Sequence, residues 1–363
     1  MKRNIFQFLP AVLLFLLITG VVLPKPVNDD LHITVHEWGT FTSVAGEDGK
    51  AIEWRTYRGH DDLPCFVDSW GVKGNSPGSV RMETPVLYFY SPRNSTANVK
   101  VQFPKGTITE WYPRKWGNSM NSVEWRDIQI TPDADPDFPS EGRSSHYYAA
   151  RETDAAPLLV GSQKEKFLFY RGIGTFPLPI SAQVTGDGKI LVKKLGTETV
   201  EGLILFDNHG GKPRYAYVGG VQNEISLDLE SLQSNWSGLL MDLERVLVNQ
   251  GLYQREARAM IETWRDSWFE EGTRLFYIVP RHTIDAVVPL NIEPAPAQLE
   301  RVFVGRMEVI TPAMEEIVRQ AIAKNDRATL EKYGRFLEPI AKRIGARSAL
   351  LDSIYSSYLR GAC

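Results

Sequence analysis

Residues 31–225 predict a β-rich, sandwich-like antiparallel N-terminal domain, and residues 226–363 an α+β, helix-rich C-terminal domain. Three observations carry this prediction. Apolar and polar side chains alternate along much of the first stretch, as they do in strands with one buried face. Glycine, proline and asparagine turns separate these short runs, and aromatic residues are frequent within them. After about Ser226 the apolar spacing changes to three and four, the period of a helix with one buried stripe.

The chain opens with Lys2 and Arg3, then an apolar run from Ile5 to Leu23 closed by Pro24 and Pro26. A basic start and such a run read as an export leader over residues 1–26. Two forms stay open. A cleaved signal peptide wants a small-x-small site, which Thr19-Gly20-Val21-Val22-Leu23 supplies poorly. A retained membrane anchor needs about 20 apolar residues, and Gln7 and Pro10 interrupt the start of this run. Either form puts the body outside the cytoplasm: periplasmic, secreted or held at the membrane by its N-terminal segment.

Leu31, Ile33 and Val35 alternate with His32, Thr34 and His36, and Val99, Val101 and Phe103 with Lys100 and Gln102. Gly186-Asp187-Gly188-Lys189 joins two alternating runs, and His209-Gly210-Gly211-Lys212 joins two more, so each predicts a hairpin. Thr131–Pro139 carries three prolines and three aspartates, which excludes helix or central strand and predicts an exposed loop. No βαβ rhythm occurs, which argues against a parallel nucleotide-binding sheet.

In the second part, Leu239, Leu240, Leu243, Val246 and Leu247 mark one helix, and Ala257, Met260, Ile261, Trp264 and Trp268 a second that closes by Gly272. Glu270 and Glu271 at its end oppose the helix dipole, so Arg274 or Arg281 is expected to compensate. Leu275–Pro280 and Arg301–Gly305 read as strands. Thr311 caps a further helix with Pro312 at its first position, and Ser348–Arg360 repeats the helical spacing.

A net charge of -3 and a pI near 6.1 argue against a nucleic-acid partner, which needs a basic face. Export would permit a disulfide between the two cysteines, Cys65 and Cys363, although a last residue is usually frayed. No CxxC pattern is present, so thiolate zinc sites are excluded. Walker A, GxGxxG and EF-hand patterns are absent as well, and the cofactor is left open. His36 and His146 are the candidate metal ligands. His32 and His36 lie about 13 Å apart if extended, too far to share one ion.

Acids and arginines embedded in aromatic runs are the remaining chemical signal. A carboxylate so placed is either paired structurally or lines a cleft. The string His146–Asp154 gathers an imidazole, a guanidinium and two carboxylates. Its candidate roles are Glu152 or Asp154 as general base or metal ligand and Arg151 as a charge stabiliser, with Glu83 or Glu110 as the second carboxylate. Trp38, Trp111 and Arg171 are candidate ligand contacts, because an indole face matches the apolar face of a sugar ring.

The strings HEWGTFTSVAGEDG from His36, VRMETPVLYFY from Val80, HYYAARETDAA from His146, EKFLFYRGIG from Glu165, ETWRDSWFEEGTRLFYIVP from Glu262 and RVFVGRMEVITP from Arg301 resemble those of a family of exported bacterial proteins with no assigned activity. The resemblance implies a bacterial, extracytoplasmic setting and carries no catalytic residues over. Two functions are therefore expected. One is an envelope protein that binds or organises a cell-envelope polymer, such as a glycan, or a protein. The alternative is an extracytoplasmic hydrolase, with or without a metal, that uses the clustered carboxylates and histidine.

Overall fold

The computed structural model describes residues 32–55, 63–71, 77–142 and 145–359. The expected leader lies outside these residues, as does Cys363; Cys65 is disulfide-bonded. The chain is β-rich, with its helices mainly in the C-terminal part.

A nine-stranded sheet organises the fold. Numbered along the chain and taken in spatial order, its strands are β15 (Lys212–Val221), β14 (Val200–His209), β17 (Gly272–Ile278), β19 (Gln298–Val309), β1 (Thr34–Ala45), β5 (Val80–Tyr90), β11 (Leu168–Gly174), β7 (Gly106–Tyr112) and β3 (Asp68–Ser69). Neighbours run antiparallel except β1 and β19, which pair in parallel from Thr34 opposite Gln298 to Ala45 opposite Val309. A second sheet holds β10 (Gln163–Glu165), β9 (Leu158–Val160), β8 (Ser122–Ile130), β6 (Ser95–Gln102) and β18 (Leu290–Glu293). A third holds β12 (Ile180–Val184), β13 (Ile190–Lys194) and β16 (Glu224–Leu227), and β2 (Trp54–Arg55) pairs with β4 (Pro77–Gly78). The helices are α1 (Trp236–Asn249), α2 (Gln254–Trp268), α3 (Arg281–Val287), α4 (Pro312–Ala323), α5 (Arg327–Glu331), α6 (Leu337–Arg343) and α7 (Ala349–Leu359).

Local chemistry sets these elements. Gly210 and Gly211, with φ of 65° and 74°, form the two-residue turn between β14 and β15, which needs left-handed backbone at both positions. Thr311 caps α4 by accepting from the Met314 amide at 3.3 Å, with Pro312 first in the helix. Met314, Val318 and Ala321 then form its buried stripe. The Thr131–Pro139 stretch is irregular, as its prolines require.

Residues 31–225 and 226–363 are not separate bodies. The chain from His32 onward is one compact unit, because β17 and β19 from the second part lie between β14 and β1 from the first. Periodicity reports each element's own faces and carries no information on which strand it joins. That is why the change near Ser226 misled.

Along β1, Trp38, Thr40, Thr42 and Val44 share one face of the sheet, since alternate residues do. Trp38 enters an apolar core with Val86, Tyr88, Phe206 and Val302, covered by Leu243 of α1 and by Met260 and Trp264 of α2. Val44 enters a second core with Trp54, Met314, Phe336, Ile340 and Ile354. Each fully buried side chain of this size contributes about 1.5–3 kcal/mol. Thr40 and Thr42 fall in the gap between the two cores. On the opposite face Phe41 packs against Phe303 and Phe176, with ring centroids 4.9 and 5.1 Å apart. Among the described residues no helix is long and apolar enough to cross a membrane.

A fragment of residues 32–225 lacks both strands that separate β14 from β1, so it is expected not to fold. Circular dichroism and amide dispersion in NMR check this, and a cooperative melt of that fragment would contradict the single-unit reading.

Candidate functional site

The gap between the two cores is filled by charge. Reading across six neighbouring strands, it contains Arg274 on β17, Arg306 and Glu308 on β19, Thr40 and Thr42 on β1, Arg81 and Glu83 on β5, Arg171 on β11 and Glu110 on β7. Every one of these side chains is buried. Arg335 and Phe336 close over the row from the short 3-10 helix Gly334–Phe336 that leads into α6, and Glu270 from the end of α2.

Buried charges demand partners, and nearly all of these have them. Glu83 accepts from the Thr42 hydroxyl at 2.7 Å and lies 2.9 Å from Arg81 Nε, with Arg335 Nη1 in direct contact. Burial alone would push its carboxyl up. Arg335, Arg81 and Arg306, with Thr42, overcome that and hold it at about 2. Arg274 pairs with Glu308 at 2.9 Å. It also donates to the carbonyls of Trp268, Glu270 and Glu271 at 2.7–2.8 Å, and so caps the end of α2. This is the compensation expected for that helix end, while Arg281 instead pairs with Asp285. Burial raises the Glu308 carboxyl against the pull of Arg274 and Arg306.

The backbone bends at the same level. The β1–β5 register shifts between Trp38 and Thr40, the β11–β5 register between Phe169 and Gly172, and the β11–β7 register between Arg171 and Gly172. A Cβ on Gly39 would come within 2.9 Å of Phe303 and 3.1 Å of Pro85, so the bulge needs glycine there. Thr84, buried and β-branched, has φ of 43°, a left-handed conformation that costs about 1–3 kcal/mol. Its hydroxyl accepts from Arg171 Nε at 3.2 Å and Nη2 at 3.1 Å. Bulges of this kind re-aim side chains, and here they set Glu83 and Arg171 on either side of Thr84.

A separate groove of about 770 Å3 opens on the surface. Phe176, Leu178, Ile180, Val287 and three prolines form its apolar part, with Lys50, Glu53, Lys105, Glu198 and His282 among the polar lining residues. His282 Nδ1 lies 2.5 Å from Glu198.

The residues expected from sequence fall into several places. Glu83, Glu110 and Arg171 do share the charged row, with Arg171 and Glu110 opposite each other in register. Glu152 and Asp154 do not join them. Both are exposed, and Asp154 pairs with Arg255 at the start of α2. Arg335, which contacts Glu83, also reaches Glu270 beyond the other end of that helix, 3.6 Å away. The helix between spans roughly 20 Å, far beyond the 5–9.5 Å of glycosidase carboxylate pairs. Arg151 is occupied by a bidentate pair with Glu165 at 2.9 and 2.7 Å.

His36 and His146 bind no common ion. His36 Nδ1 meets Glu256 at 2.7 Å, and His146 Nδ1 meets Asp266 at 3.0 Å. Those two acids are ten residues apart on α2, roughly 15 Å. No cluster among the described residues has the ligands for a metal. Trp38 is a fully buried core residue, so its ring is closed to a sugar. Trp111 is 7% exposed and packs against Trp70, with Lys115 Nζ 4.4 Å from its ring centroid. The well-exposed indole is instead Trp116, with the Arg126 guanidinium 3.5 Å over it.

Sequence reasoning missed Arg306, Glu308, Arg335 and Glu256. Arg306 and Glu308 gave the same signal as Glu83, charges inside an apolar strand, and could have been found by it. Gly74-Asn75-Ser76-Pro77-Gly78 has the letters of GxSxG. A nucleophile elbow needs a helix next, but Gly78 leads into β5; Ser76 lies outside the described residues. No family model matches the chain, and no curated protein matches it.

Glu83→Gln is expected to destabilise the protein by about 3–5 kcal/mol at neutral pH, because it strands buried guanidiniums. A depressed carboxyl contributes stability above its unfolded value of 4.5 that is lost as pH falls toward about 2. The gap between wild type and variant should therefore narrow across that window in urea titrations; a pH-independent gap would assign the loss to packing alone.

Proposed function

We propose that the chain is an exported bacterial envelope protein, one of the family its sequence resembles, and that it binds an extracytoplasmic polymer such as a glycan without cleaving it. The observation that carries this reading is the open groove with an apolar lining and a rim of mixed charge. Pro177 and Leu195, both exposed in the groove, suit the apolar faces of sugar rings, and Lys50, Lys105 and Glu53 offer donors and acceptors to hydroxyls. The acids expected to cut a polymer stand far apart, which removes the main support for hydrolysis. Export is supported by the basic, apolar start of the sequence and by a disulfide at Cys65, a bond that persists in oxidising compartments. Under this proposal the sheets pack sandwich-like behind the groove, with Pro280, His282 and Val287 from the second part of the chain completing its lining, and the N-terminal segment meets the membrane if it is retained.

Hydrolysis stays as a second reading on one observation, the strained Thr84 between Glu83 and Arg171. Strain of that kind collects at reactive sites.

Fusing residues 1–40 to a reporter active only outside the cytoplasm is expected to give signal; a soluble, inactive fusion would remove the export proposal. In sedimentation with insoluble cell-wall glycan, the wild-type chain should pellet. Leu195→Asp and Lys105→Glu, both at exposed groove positions, should weaken this about tenfold or more with melting unchanged. Release of soluble fragments from the glycan would instead support the hydrolase, and wild-type protein left in the supernatant would end the glycan reading.

A further inference from the structure

We infer that Arg306 anchors an internal binding site for a small free oxyanion, a site separate from the surface groove. Arg306 has no exposed surface, yet only one of its nitrogens is used: Nη2 donates to Glu270 at 2.6 Å. Nε and Nη1 have no acceptor among the described residues. The other carboxylates nearby are engaged elsewhere. Glu308 is held by Arg274, and Glu83 by Thr42, Arg81 and Arg335.

A guanidinium taken out of water with most of its donors unanswered is costly. Here it also faces like charge. Burial first, then Arg274 and Arg335, push its pKa down to about 10 against the pull of Glu270 and Glu308. The Phe336 ring closes one side, 4.7 Å from the guanidinium carbon. On β1, next to β19, the Thr40 hydroxyl is also buried without a partner and shares the face of Thr42, the register partner of Arg306.

An oxyanion supplies acceptor oxygens for Nε and Nη1, which Glu270, Glu308 and Glu83 leave unanswered. A cation would be repelled, and a neutral group would leave the repulsion in place. Full burial of Arg306 favours a free ion of phosphate or sulfate size over a group carried on a polymer. The row meets solvent at Glu270 and Arg335, whose side chains are 19% and 13% exposed, and this is the route in.

Equilibrium dialysis of the full chain against radiolabelled inorganic phosphate tests the site. The expected result is one phosphate per chain at millimolar concentration, displaced by sulfate and insensitive to added sodium chloride. Thr40→Val should weaken binding about tenfold, and Arg306→Gln should abolish it. Arg126→Gln, on the exposed surface, should leave it unchanged. If Arg306→Gln does not fold, the wild-type stoichiometry and Thr40→Val decide. No wild-type binding, several weak sites lost in salt, or full binding by Thr40→Val would each overturn the site.

Discussion

Guanidinium groups cannot shed their charge inside a protein, so wherever the fold buries one it must deliver acceptors to it. Much of this molecule is arranged around that constraint. Arg274 fixes where α2 stops, because its nitrogens take the carbonyls of Trp268, Glu270 and Glu271. Glu83, in contact with Arg335, ties the segment before α6 to the sheet. Arg171 donates to the Thr84 hydroxyl, and Thr84 presents it from a left-handed backbone in a bulged strand. The row also divides one sheet face into two apolar cores, one under α1 and α2 and one under the C-terminal helices.

Such a row is a poor source of net stability. Replacing buried ion pairs with apolar side chains is often neutral or favourable, whereas removing one partner is severe. The two cores supply the apolar burial, and the row between them constrains geometry: three strand pairs change register along it. On the other face the Glu37–Arg301 pair, 2.5 Å apart, does a simpler job. Tyr170, Asp285 and the Val288 carbonyl complete its hydrogen bonds, so it joins β1 to β19 with its partners supplied.

Local features were legible because local chemistry determines them. Gly210-Gly211 announced its hairpin, Thr311-Pro312 its helix start, and the prolines of Thr131–Pro139 their loop. Distant pairing was not legible. Nothing in the spacing of β19 says that it lies beside β1, and so the apparent domain boundary dissolved in the sheet. The candidate site divided along the same line. Glu83, Glu110 and Arg171 stood out as charges inside apolar strands and do belong together. Glu152 and Asp154 stood out only as neighbours in sequence, and the chain turns both outward. The partner of His36 is Glu256, 220 positions away, and no local pattern could have named it.

The parallel pairing of β1 with β19 also sets an order of events. A nascent chain presents β1 before β5 and both long before β19, so β5 can pair with one edge of β1 first. The other edge stays bare, with backbone amides and carbonyls unanswered, until residues 298–309 have been made. An open edge of that length is a template for aggregation. Until residues 298–309 have been made, that edge of β1 is open to pairing with the wrong neighbour.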